Sequence, residues 1–305
     1  MKKASIIIGL LFLFLVGIYS CDKINNPIPV ITGGLDWDLF PGGDSADYTW
    51  PVWTANSNTE RNVLIEDFTG HTCVGCPAAA VEAHDIEAAN PNRVIVASIH
   101  ASTTSSYQVP EPSPSVFSAD YRTDAGNEYA NTFGCDLNPL GTTNRTLGTY
   151  PSVDPMMQLS TSWAASTNTL LSSELDVNMQ VQHNYYPSTN GLFIHTETDF
   201  INAQNGTYNI AIYLVRDTVI SPQKLPSGVE EEEYHHHNVL TTNINGTWGT
   251  ELFTGSIAAG DKLYNDYAYQ VPTTDSTFNI SNLSLISYVF NRNTYEILQV
   301  IKTEL

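Results

Sequence analysis

Cys73 and Cys76 stand three positions apart in Ile65-Glu66-Asp67-Phe68-Thr69-Gly70-His71-Thr72-Cys73-Val74-Gly75-Cys76-Pro77. Such a pair serves as half of a zinc site, as a thiol–disulfide couple or as a short covalent staple. A structural zinc site closes with four ligands, and the sequence has no second C-x-x-C. Cys135 is alone, and His71 and His84 are not at a finger spacing. No metal and no cofactor are expected. The thiol reading draws on position: an apolar run precedes the pair and an alanine-rich run follows it. At a helix start, free backbone N–H groups and the helix dipole favour a thiolate. In that arrangement Cys73 is the nucleophile and Cys76 the resolving thiol. The residues leave open whether the pair reacts or only staples.

The elements that would position the pair read as follows. Val63-Leu64-Ile65, ending at Phe68, suits a buried strand, and Ala78 to Ala89 suits a helix closed by Asn90-Pro91. Val94 to Ile99 is a second buried strand of β-branched residues. Helices are expected over Tyr121 to Phe133 and from about Pro155 to Ser172. Strands alternating with helices imply a parallel or mixed α/β sheet over residues 61–173. From Glu174 the pattern turns to period two. Strand candidates are Leu175 to Gln182, Leu192 to Thr198, Tyr208 to Val215, Leu263 to Tyr269, Ser284 to Phe290 and Tyr295 to Ile301. The last two are joined by Asn291-Arg292-Asn293-Thr294, a link of hairpin length. Residues 174–305 therefore read as an all-β sandwich of immunoglobulin size.

Asp67-Phe68, four residues and then Cys73-x-x-Cys76 resemble the thioredoxin fold. That resemblance implies that Asp67 carries the proton of the second cysteine. A buried carboxyl with a raised pKa suits this role. It also implies a cis proline facing the disulfide, for which Pro139 in Asn138-Pro139-Leu140 is the candidate. Thr72 replaces the thioredoxin tryptophan, and Val74-Gly75 replaces its Gly-Pro. Pro77 fits only a first helical turn. The phrase from Glu66 to Ala80, the Asn144-Arg145 pair and Tyr234-His235-His236-His237-Asn238-Val239-Leu240 together resemble the outer-membrane protein 28-related lipoprotein family of Bacteroidetes. This implies a thioredoxin-like domain joined to a β-rich C-terminal domain, on a lipoprotein with no firmly attached enzyme activity.

Residues 1–20 read as a signal. Lys2 and Lys3 precede an apolar run, Ile6 to Val16, that is too short for a comfortable membrane span. Cys21 follows Ser20 as in a bacterial lipobox, so acylated Cys21 is the expected anchor in outer-membrane lipid. Residues 21–60 read as a tether whose later part packs on the body through Trp37, Trp50 and Trp53. The oxidising envelope permits disulfides. A formal charge of -20 argues against nucleic acid as a partner.

Glu230 to His237 reads as a solvated charged loop, with His235 and His237 on one face and His236 opposite if it is extended. Cys135 reads as a buried core thiol or a third redox partner, and His71 as a surface-loop residue. Asp44-Ser45-Ala46, Asp217-Thr218-Val219 and Asp275-Ser276-Thr277 resemble a short O-glycosylation pattern. Two functions compete: a lipid-anchored envelope protein that binds a protein or glycan, and an envelope thiol–disulfide oxidoreductase using Cys73, Cys76, Asp67 and Pro139.

Overall fold

Strand β1 (Val63–Thr69) is buried along its whole length. In the computed structural model, which describes residues 34–148, 156–272 and 278–305, it pairs parallel with β2 (Val94–His100) and antiparallel with β3 (Leu140–Thr143). Cys21, the leader, the start of the tether and Asp275-Ser276-Thr277 lie outside the described residues. Helix α1 (Cys76–Ala89) connects β1 to β2. It starts two residues before the expected Ala78, with Pro77 in its first turn, where no intrahelical N–H is lost. Helix α2 (Asp124–Phe133) starts later than Tyr121 because Thr123 Oγ1 accepts from Gly126 N (2.9 Å) and caps it; Gly134 in the left-handed region ends it. Helix α3 is Ser160–Leu171, shorter than the expected span from Pro155, which itself is not described.

Among the described residues beyond 174 every regular element except one short 3-10 turn is a strand: β4 (Val177–Tyr186), β5 (Gly191–Phe200), β6 (Gln204–Lys224), β7 (Glu230–Asn243), β8 (Thr250–Ile257), β9 (Lys262–Gln270), β10 (Leu283–Asn291) and β11 (Ile297–Glu304). One eight-stranded mixed sheet runs β11-β10-β6-β7-β2-β1-β3, with β8 also on β6, and a second sheet runs β4-β5-β9. Among the described residues the fold is thus mostly β, with three α-helices. β2 meets β7 only at Ser98 and Val239, yet that bridge joins the α/β part and the β-rich part into one sheet.

Two stretches differ from the sequence reading. Glu230 to His237, expected as a solvated loop, is strand. β6 continues for 21 residues and pairs with it, Ile220 opposite His235 and Ser221 opposite Tyr234, so backbone pairing outweighs the repulsion of four exposed glutamates. β8, absent from the sequence reading, pairs with the first half of β6; its apolar residues Leu252, Phe253 and Ile257 pack on the core but do not alternate with period two.

Period two on β1 sends its side chains to two different cores. Val63 and Ile65 join Ala79, Ala83, Trp163 and Leu170 under α1 and α3. Leu64 and Phe68 join Tyr129 and Phe133 of α2 and Tyr213 and Tyr288 of β6 and β10. The opposite face of β6 and β10 packs Ile210, Ile212 and Leu285 against Val177, Leu192 and Ile194 of the three-stranded sheet.

Glu66 lies on the Leu64 side of β1 and is fully buried with Arg145. Arg145 Nε and an Nη donate to the two carboxylate oxygens at 2.8 Å each; Thr142 and Tyr213 hydroxyls add donors at 2.9 and 2.7 Å. The guanidinium also donates to the hydroxyls of Tyr213 and Tyr288 (2.8 and 2.9 Å) and sits 4.6 Å from the Tyr129 ring and 4.9 Å from Phe133. Burial alone would raise the Glu66 carboxyl, but Arg145 and these hydroxyls hold it below its ordinary value. Asn144 and Arg145 both take left-handed φ, 47° and 53°. Asn144 tolerates this and bonds Leu64 N through Oδ1 (2.7 Å), while its carbonyl accepts from Ile297 N (2.9 Å).

The extension before β1 packs on the body as its tryptophans imply. Trp37, Phe40 and Tyr48 cover Phe193 on the outer side of the three-stranded sheet. Tyr48 Oη and His195 Nε2 are 2.6 Å apart, and His195 Nδ1 lies 2.6 Å from Asp266. The chain then follows β4: Gln182 and Gln180 donate to the carbonyls of Val52 and Thr54, and Asn56 donates to the carbonyl of Met179.

Removing one member of a buried ion pair strands the other, at a cost of about 3–5 kcal/mol. Arg145→Met should lose that amount in urea denaturation at pH 7. Glu66→Gln in the same chain should recover part of it, making the double variant less destabilised than the sum of the single ones. Additive losses would mean that the two groups are not coupled.

Candidate functional site

The same alternation that sends Glu66 toward Arg145 sends Asp67 to the other face, beneath α1. β1 ends at Thr69, and the loop from Gly70 to Gly75 delivers Cys73 and Cys76 to the helix start, where they form a disulfide with an S–S distance of 2.14 Å. Gly70 is required here, since a Cβ would overlap the backbone of Tyr107. The Asn138–Pro139 bond is cis, and the Pro139 ring comes within 3.3 Å of where a Gly75 Cβ would stand. Asp67, Cys73, Cys76 and Pro139 are therefore gathered at one end of β1.

The disulfide is covered. Both cysteines are 2% exposed. Thr72 N donates to Tyr107 O (3.1 Å) on one side. On the other, the far end of β6 closes over the loop: Gln223 Nε2 donates to Cys73 O (3.0 Å) and Lys224 N to His71 O (2.8 Å). His71, read from the sequence as a surface residue, is buried and stacked on Phe117 at 5.7 Å, because the loops around residues 107–121 fold over it. Cys135 is fully buried, and burial pushes its thiol well up, so it is protonated at neutral pH.

Beside the covered disulfide, β2 and β7 separate after their single bridge, and α1 spans the gap. A cavity of about 270 Å³ lies there and reaches both Asp67 and Cys76. Pro77, Ala80 and Val81, at helical spacing on α1, give it an apolar wall with Val96. The opposite wall is polar and comprises Asp67, His100, Tyr234 and His236. Asp67 is 1% exposed and its Oδ1 has no hydrogen-bond partner, so burial pushes the carboxyl up to about 7. His100 is 2% exposed with neither ring nitrogen partnered, and His236 Nε2 is likewise unpartnered. Burial drives His100 well below its usual range and His236 down to about 4, so both are neutral imidazoles at pH 7. Neutral imidazole offers one donor and one acceptor.

The sequence reading located Asp67, Cys73, Cys76 and Pro139 but missed His100, Tyr234, Gln223 and the cavity. His100 closes the apolar run from Val94, and a histidine ending a buried strand was the available signal. The β7 residues were hidden inside a run read as loop. His235 and His237 face solvent while His236 is buried, as alternation requires of an extended segment. Among the described residues no group of three or more His, Cys, Asp or Glu side chains is placed to hold a metal ion.

The family model described as outer membrane protein Omp28 matches residues 126–305, more than half of the chain. Among solved structures, HBP35 of Porphyromonas gingivalis is similar at a TM-score of 0.60 and 13% identity, covering 82% of this chain and 77% of that one. At this identity the likeness shows the fold alone. A domain of the outer membrane lipoprotein Omp28 from Porphyromonas gingivalis aligns at 18% identity over 43% of this chain and 88% of its own, with a TM-score of 0.29. No curated protein matches the chain in sequence. The chain belongs to the outer membrane protein Omp28 family and is a protein of the outer membrane.

Proposed function

We propose that the protein is a lipid-anchored binding protein of the outer membrane, held by acylated Cys21. Residues 61–173 then form a thioredoxin-like unit, residues 174–305 an immunoglobulin-like β-sandwich, and Cys73–Cys76 a structural staple. The observation that carries this reading is the burial of both cysteines beneath Gln223 while the cavity that stands open beside them reaches Cys76 but not Cys73. A nucleophilic cysteine must be reached by its substrate, and this one is covered by the protein's own β6–β7 hairpin. The cavity is the ligand site. A whole protein or glycan exceeds about 270 Å³, so the cavity takes a small molecule or one group of a larger one.

A second reading, an envelope thiol–disulfide oxidoreductase, is favoured by one observation: Asp67, a carboxyl near neutrality, lines the same cavity as Cys76. In it, reduced Cys73 would attack a substrate disulfide, and Cys76 would displace the substrate thiol while passing its proton to Asp67. The substrate would leave reduced and the pair oxidised.

Three outcomes are expected. The native chain should reduce a small disulfide substrate no faster than the Cys73→Ser/Cys76→Ser variant; measured turnover above that background would favour the oxidoreductase. Gln223→Ala should accelerate reduction of the disulfide by dithiothreitol several-fold by loosening the cover, and an unchanged rate would show that Gln223 is not what shields it. Asp67 fixes the third. Its carboxyl retains a proton in the folded state up to about pH 7, whereas the unfolded chain loses it near 3.8. Stability contributed by the neutral acid is therefore present at low pH and lost as pH rises from about 4 to 7, on the order of 4 kcal/mol in all. Asp67→Asn should flatten this decline and be the more stable chain at pH 8, as followed by urea midpoints across that range. Parallel stability profiles would contradict it.

A further inference from the structure

We propose that the cavity beside Asp67 binds a primary ammonium group carried on a short apolar chain. The proposal rests on the reading of this cavity as the ligand site and adds the chemistry of what fills it.

The lining divides into two halves suited to the two ends of such a ligand. Pro77, Ala80, Val81 and Val96 offer apolar surface to a hydrocarbon chain. Across from them, Asp67 Oδ1, both nitrogens of His100 and Nε2 of His236 are buried without partners. Buried polar groups normally have hydrogen-bond partners, and leaving them without costs free energy. An ammonium has three donors and no acceptor. One carboxylate and two neutral imidazoles can supply three acceptors, with each imidazole choosing the tautomer that leaves a lone pair toward the ligand.

Charge selects among ligands that share this shape. No lysine or arginine lines the cavity; its formally charged side chains are Asp67 and Glu87. Lys302 acts on Glu87 but is already tied to Asp217 (2.7 Å) and Asn238 (2.8 Å). Arg216, whose charge reaches His100, lies over the rings of Tyr121 and Phe278 and is not in the lining. Glu230 to Glu233, all exposed on β7 just before the polar wall, add negative potential on the approach. A carboxylate or phosphate ligand would meet Asp67 and Glu87 with no lysine or arginine in the lining to pair with it. A cation instead gives the buried Asp67 the partner it lacks, and a carboxyl already near neutrality releases its proton readily to make that pair.

The test titrates the full chain with n-pentylamine, 1-pentanol and pentanoate at pH 7.5, reading the ring-proton signals of His100 and His236 by NMR. Pentylamine should bind about tenfold or more tightly than pentanol, the least expected of one charge-assisted hydrogen bond, and pentanoate most weakly. Asp67→Asn should erase the preference for the amine and leave pentanol binding unchanged. Val81→Trp, a substitution at an exposed helix position on the apolar wall, should block both probes while Asp67 is untouched. Should Asp67→Asn fail to fold, the amine-to-alcohol ratio on the native chain and the Val81→Trp block still decide the matter. If pentanol or pentanoate binds as tightly as pentylamine at these histidines, the ammonium class is wrong and the cavity remains a ligand site. If none of the three perturbs them, the cavity reading falls with it.

Discussion

The architecture depends on one buried charge pair. Glu66 comes from β1, Arg145 from the turn after β3, and the hydroxyls that complete their network come from β3, β6 and β10. Such a pair does little for stability compared with apolar residues of the same volume, because both charges must leave water. Its effect is on arrangement. The hydrogen bonds of the carboxylate and the ring contacts of the guanidinium form only when α2, the α/β strands and the β-rich strands meet in one register. Because the direct strand pairing between the two parts is a single bridge, this network and the shared aromatic core around it keep them in one sheet.

That constraint also sets up the candidate site. On a strand the neighbours of a residue point oppositely, so fixing Glu66 on one face fixes Asp67 on the other, under α1. The two adjacent acids meet opposite fates. Glu66 is fully partnered and ionised; Asp67 is buried with an open acceptor. Adjacent acids in a sequence carry no mark of this difference, which only the third dimension creates.

Much of the site was legible because local signals agree there. The apolar run before Asp67, the alanine-rich helix and Pro77 in its first turn each follow from backbone rules, and the helix begins only two residues before its expected start; Pro139 came from the thioredoxin resemblance, and the bond before it is cis. Asn144-Arg145 stood out in the sequence without a reason; its reason is the left-handed turn that aims Arg145 at Glu66. What the sequence hid is long-range. The charge run from Glu230 becomes a strand only because β6 extends beneath it, and neither segment signals that extension alone. His71 looked like a loop residue because the residues that bury it lie some forty positions away. His100 and His236 lie on different strands, and the gap between those strands is a property of the sheet.

The extension before β1 has a mechanical consequence. Its contacts with the body are laid in series: an aromatic cluster closed by Tyr48 and His195, then single side-chain bonds to the carbonyls of Val52 and Thr54 and from Asn56 along β4. A pull on the N-terminal end loads these one after another, as in unzipping, and reaches β1 only after the last has opened. Drag on the body is therefore dissipated in the extension, and the buried pair at Glu66 and the cavity beside Asp67 stay unloaded until that reserve of chain has peeled away.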